Sequence, residues 1–189
     1  MLTRQEGYGL LCEYTPSDSL RRHGLAVEAA MRAMAERLGG DPERWGVCGL
    51  IHDFDYERYP SLEDHPYRGV EILRGMGVDE EFLQAVLGHG DHTGTPRTTP
   101  MAQTLYAVDE LCGFMVAIAL VRPTRDLEGL EWKSIKKKLK DKTFARAVDR
   151  DMMARGAEGV GMSLQDLALL VRDALQPRAR ELGLGNGGE

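Results

Sequence analysis

Gly49-Leu50-Ile51-His52-Asp53-Phe54-Asp55-Tyr56-Glu57-Arg58-Tyr59-Pro60, GLIHDFDYERYP, starts as protein core and finishes as protein surface. The apolar run leads directly into His52 and Asp53 and then into a polar turn. Neighbours on a regular helix point about 100° apart, so both side chains reach one interior only where helical geometry is ending. The stretch therefore reads as the end of a core helix that delivers an imidazole and a carboxylate to the inside.

Helical periodicity recurs on both sides of it, and the alternation expected of strands is nearly absent. Leu20, Val27, Met31, Met34 and Leu38 mark a stripe that stops at Gly39-Gly40. Asp41-Pro42 is a start signal for the short helix carrying Trp45, Cys48 and Ile51. A third helix begins around Asp64-His65-Pro66 and stops at Gly75 or Gly77. Asp79 caps a fourth, with Phe82 and Val86 inside. After the Gly-, Thr- and Pro-rich connection Gly90 to Pro100, a long helix runs from Pro100 to about Val121. Helical propensity returns over Leu130–Lys140 and Phe144–Arg155, and Ser163 with Asp166 opens a last helix to about Leu175. The fold class is all-α, a compact bundle of about seven or eight helices. Residues 1–18 form an N-terminal segment, 19–121 the core and 122–182 a helical extension packed on it. The tail 183–189, GLGNGGE, is expected to be disordered.

Composition narrows the function classes. A hydrophobic content of 42% is enough for a substantial core without staples. Cys12, Cys48 and Cys112 share no metal-type spacing and read as reduced residues of a cytoplasmic protein. The first twenty residues have no secretory pattern, and the run Leu111–Val121 is shorter than the roughly 20 residues needed to span a bilayer. A net charge of −6 argues against general nucleic-acid binding, which needs a basic footprint.

The five histidines are the anomaly. His23 shares the apolar stripe of its helix, His65 and His89 lie at inward positions of theirs, and Asp109 sits among Leu105, Cys112 and Val116. A single such histidine is ordinarily a hydrogen-bonded core residue. Four imidazoles and two carboxylates on inward faces are another matter, because an unpaired buried carboxylate costs several kcal/mol or more. A polyvalent cation satisfies them together, and imidazole with carboxylate suits a first-row transition metal.

The ordered series His23, His52-Asp53, His65, His89, Asp109 on a helical background resembles the HD-domain superfamily of metal-dependent phosphohydrolases, in particular its smaller bacterial members. The resemblance covers about Leu20 to Val121. It implies that His23, His52, Asp53 and Asp109 hold a first metal and that His65 and His89 hold a second, with Asp53 bridging. His92 competes with His89, but Ala85-Val86 to His89 matches the helical A-[IV]-x-x-H form of relatives, and His92 lies beyond Gly90. The cofactors implied are two divalent transition metals per chain, Fe, Mn, Co, Ni or Zn, with Mg as a further choice.

The activity implied is hydrolysis of a phosphomonoester or phosphodiester, of a nucleotide or another small phosphorylated metabolite. Asp53 is the central catalytic carboxylate, and Asp55 and His92 are candidates for second-layer or proton-transfer work. Some relatives instead hold a di-iron centre in the same ligands and oxidise small molecules, and a non-catalytic nucleotide- or metal-binding module is a third reading. An anionic substrate also asks for cations beyond the metals. All six lysines fall between Lys133 and Lys142, so Lys136, Lys137, Arg122 and Arg146 are the candidates. Such a run is as often a solvated helix face. The expected partner is a small anionic phosphorylated substrate, with no membrane and with a monomer or homodimer as the assembly.

Overall fold

The computed structural model of the chain describes residues 2–185. Among them are nine α-helices, two short 3₁₀ turns and no strand. The helices are α1 Arg4–Tyr14, α2 Asp18–Leu38, α3 Pro42–Ile51, α4 Tyr67–Gly75 and α5 Glu80–Gly88, followed by α6 Pro100–Leu120, α7 Trp132–Lys140, α8 Arg150–Gly159 and α9 Leu164–Leu175. The all-α bundle predicted from periodicity is the observed architecture.

Most boundaries follow local chemistry. Asp41 accepts from the backbone N–H groups of Glu43 and Arg44, and Pro42 occupies the first turn of α3. Asp79, Thr99 and Ser163 cap α5, α6 and α9 in the same way. The added helix is α1, in the segment before residue 18. Thr3 and Glu6 form a capping box there, and Gly7, Leu10 and Leu11 are buried.

Two expectations are corrected. Phe144–Arg155 is not one helix, because α8 starts at Arg150. Asp149 accepts from Asp151 and Met152 N–H groups, which fixes the start. The Arg150 guanidinium donates to the carbonyls of Ala145, Val148 and Phe144, so the preceding segment wraps around a side chain and keeps only turn-type backbone bonds such as Val148 N–H to the Ala145 carbonyl. The tail is also ordered further than expected. Leu182 and Leu184 are buried, and Gly185 N–H donates to the Arg125 carbonyl at 2.6 Å. Residues 186–189 of the expected disordered tail lie outside the described residues.

The core is organised around α6, which packs against α2, α5, α8 and α9. This helix is long and apolar enough to cross a membrane by length and composition, yet 61% of its most apolar window is buried inside the bundle. A helix apolar all round is what the centre of a bundle requires. Opposite α6, the carboxylate of Glu28 on α2 is wholly buried and held by Arg4 at 2.6 Å and Arg32 at 3.0 Å.

Candidate metal centre

Five elements deliver the ligand-type side chains. His23 comes from α2, His52 and Asp53 from the end of α3, His89 from the end of α5 and Asp109 from the middle of α6. His65 lies in the turn just before α4, not on the helix as its spacing suggested. The closest approach of α2 and α3 sets the register. A Cβ on Gly24 would lie 2.6 Å from the Leu50 carbonyl oxygen, and one on Gly49 would lie 2.9 Å from that of Val27. Neither position has room for a side chain, and the His23 and His52 rings come within 5.2 Å of each other.

The six side chains form two sets. In the first, Asp109 Oδ1 lies 2.9 Å from His23 Nε2 and 3.2 Å from His52 Nε2. In the second, Asp53 Oδ1 lies 3.3 Å from His65 Nε2 and 3.2 Å from His89 Nε2. Asp53 Oδ2 faces the first set, 3.5 Å from His52 Nε2. One carboxylate thus touches both groups. The ligand atoms within each set lie within 4.8 Å of one another, close enough to hold a metal ion.

Hydrogen bonds behind the rings determine what faces inward. His52 Nδ1 donates to the Gly49 carbonyl at 2.8 Å and His89 Nδ1 to that of Val86 at 2.6 Å. His65 Nδ1 donates to Asp55 Oδ1 at 2.8 Å. With the hydrogen on Nδ1, a neutral imidazole presents a bare lone pair at Nε2. In their neutral forms His65 and His89 would oppose two lone pairs across 3.2 Å. His52 Nε2 is buried without an aligned hydrogen bond, although Asp109 is near. Acceptors crowded against acceptors need a proton or a metal ion between them. An outer hydrogen bond on one ring nitrogen, with the other turned inward, is the arrangement metal-ligating histidines adopt.

The charges point the same way. Burial would lower the His52 pKa, but Asp53 and Asp109 outweigh it and push it up to about 10. At His65, burial is again outweighed, by Asp53 and Asp55, and the pKa rises to about 9. Burial would raise Asp53 and Asp109, yet the facing imidazoles hold both well below the usual carboxylate range. The centre is a sink for positive charge, whether protons or a metal fill it. It opens on the Asp53 and His23 side, where the side chains are 27% and 22% exposed, whereas His52 is sealed.

The remaining candidates are placed less centrally. Asp55 is fully buried and spends both oxygens, one on His65 and one on the Gly69 N–H at 2.8 Å. It orients a ring and faces no open space. His92 is exposed and belongs to neither set; its Nε2 donates to the His65 carbonyl at 3.0 Å, with the rings 6.4 Å apart. Lys137 and Arg122 line a cavity of about 610 Å³ that contains none of the six His and Asp residues. Arg122 donates to the carbonyls of Asp126 at 2.9 Å and Glu128 at 2.8 Å. Lys136 is exposed on α7, and Arg146 lines a separate cavity, again without any of the six. Sequence reasoning missed the Gly49 and Val86 carbonyls. Each lies three residues before its histidine in the last turn of a helix, where carbonyls run out of N–H partners.

The family model described as HD domain matches residues 20–113, a span that contains all six side chains. Among curated relatives, Ribonuclease Y of Nitratidesulfovibrio vulgaris strain DP4 is 27% identical over 145 residues, covering 76% of this chain and 24% of its own length. Ribonuclease Y of Oleidesulfovibrio alaskensis is 26% identical over the same length, with the same coverage. Ribonuclease Y of Rhodopirellula baltica is 34% identical over 80 residues, 42% of this chain and 15% of that protein. The chain thus spans a quarter or less of the curated relatives it matches. No solved structure gives a significant match. With His23, His52-Asp53, His65, His89 and Asp109 folded onto one centre inside the matched span, residues 20–113 of this chain are an HD domain.

Proposed function

We propose that the chain hydrolyses a small phosphoester, a phosphomonoester or phosphodiester of a nucleotide or similar metabolite, at a pair of divalent transition-metal ions. The observation that carries this reading is the convergence of inward Nε2 lone pairs and two carboxylates, with Asp53 facing both sets. His23, His52 and Asp109 would hold one ion, His65 and His89 the other, and Asp53 would serve both. Bound there, such ions supply charge to neutralise a phosphoryl group and lower the pKa of water.

The protein's own side chains do the rest. The Gly49 and Val86 carbonyls and Asp55 fix the tautomer of three imidazoles, so the donor atoms are set before any ion arrives. Asp55 is thus a positioning residue. His92, beside His65, would be the group nearest solvent for a proton-transfer role. Lys136, Lys137 and Arg146, outside the centre, act by attracting anions at a distance. The name Ribonuclease Y, carried by the relatives, is the reason phosphodiesters stand beside monoesters in this proposal.

The test is a panel of nucleotides and nitrophenyl phosphoesters supplied with Mn or Co. Phosphate or nitrophenol release that disappears in Asp53→Ala supports the proposal. Oxygen consumption by the iron form, with no phosphoester turned over, would replace it with the oxygenase reading.

A further inference from the structure

A cavity of about 390 Å³ lies against the open side of the centre, and His23 forms part of its wall. Val116, Leu120 and Leu182 make it apolar, while Arg22 and Arg125 bring two guanidinium groups to it. Its size is at the lower end for small-molecule sites. None of the cavities lined by Arg122, the lysines or Arg146 touches a ligand-type side chain of the centre.

Arg22 and Arg125 differ from their neighbours. Arg21 pairs with Asp18, and Arg122 pairs with Asp126, but Arg22 and Arg125 have no carboxylate partner among the described residues. Both are exposed. Their placement is nonetheless constrained. Gly183, with φ of +67°, runs so close to Arg22 that a Cβ there would strike the guanidinium. Arg125 itself adopts φ of +52°, a left-handed backbone uncommon outside glycine, and its carbonyl is held by the Gly185 N–H. Two segments of the C-terminal part of the chain thus fold over the start of α2 and leave unpaired positive charge on an apolar wall.

We propose that this cavity is the specificity subsite of the metal centre. It takes the non-reacting end of a small phosphoester that carries a second anionic group on an apolar or aromatic body, with Arg22 and Arg125 as the counter-charges. The inference rests on the hydrolase reading for the reacting end and adds the substrate class. A guanidinium meets a phosphate or carboxylate with two parallel N–H donors, so each arginine contributes to selectivity for a ligand with two separate anionic groups over a ligand with one.

Calorimetric titration of the metal-loaded protein tests it with two probes. Thymidine 3′,5′-bisphosphate carries two phosphates on a compact body, and 4-nitrophenyl phosphate carries one. The wild type should bind the bisphosphate more tightly. Arg22→Gln and Arg125→Gln should each weaken bisphosphate binding by about tenfold, while 4-nitrophenyl phosphate changes by less than about threefold. Both positions are exposed, so neither substitution should cost the fold. Equal losses for the two probes, no loss for either, or no initial preference for the bisphosphate would overturn the subsite. Selective loss in binding, without turnover of either compound by the wild type, would leave the subsite standing and remove the hydrolase reading.

Discussion

His65 and His89 face each other through their Nε2 atoms at 3.2 Å, and each has already spent its Nδ1 hydrogen on an acceptor behind it. The pair, with Asp53 Oδ1 at 3.3 and 3.2 Å, is a donor set that could hold a metal ion. It is also separable from the His23, His52 and Asp109 set. Replacing His65 with Ala should therefore remove about one metal per chain and keep the other. Elemental analysis of the purified variant reads this directly, and loss of both ions would show the two sets to be one.

Asp55 reaches the centre only through His65. In Asp55→Asn the side-chain volume is kept, but an amide replaces the carboxylate that fixes the His65 tautomer. Removing such an outer partner costs about 10–100-fold in metal affinity. The loss should fall on the second ion alone, measured by competition with a metal-sensitive dye. An unchanged affinity would mean that His65 is positioned by packing.

Protons and metal compete for the same atoms, and this gives a pH dependence. In the metal-free protein His52 and His65 titrate near 10 and 9, raised from an ordinary value of 6.5. A folded-state pKa above the unfolded one stabilises the fold fully below the unfolded value and loses that stability as pH rises through the folded value. Melting temperatures of chelator-treated protein should thus fall between about pH 6.5 and 10. The metal-loaded protein should not share this fall, and its metal affinity should rise over the same window as fewer protons are displaced. Metal-free protein that gains stability on going alkaline would contradict the assignment.

The α2–α3 contact makes its own prediction. Gly24→Ala places a methyl 2.6 Å from the Leu50 carbonyl oxygen, a backbone atom that cannot swing aside. Overpacking of this kind costs about 1–3 kcal/mol. Urea unfolding should show that loss together with reduced metal occupancy, because the same contact aligns His23 with His52. Unaltered stability would mean that the two helices slide apart at no cost.

Several of these features were legible in the sequence. The HD step at His52-Asp53 works because α3 ends at Ile51, and an apolar run entering a polar turn shows that ending. Asp109 stood out because a carboxylate amid Leu105, Cys112 and Val116 has no apolar excuse. His89 closes α5 and stands 3.2 Å from Asp53, whereas His92 sits in the following 3₁₀ turn. What stayed hidden depends on distant contacts. No local pattern tells that Arg22 would meet Arg125 and Leu182 across a cavity, or that Leu184 would be buried behind a Gly-rich tail. The lysine run stood out for its composition, but charge density along a helix does not say which cavity the helix borders. The Phe144–Arg155 propensity failed because Arg150 captures the carbonyls that a helix would have used.

If the inward nitrogens and carboxylates on these helices gather divalent ions, the purified protein should carry them. Elemental analysis of protein purified without added metal, beside an Asp53→Ala variant, tests it most directly. The wild type should contain about two transition-metal ions per chain, and the variant should lose at least one. A wild-type protein that carries none, and acquires none on exposure to Mn, Co, Fe or Zn, would contradict it.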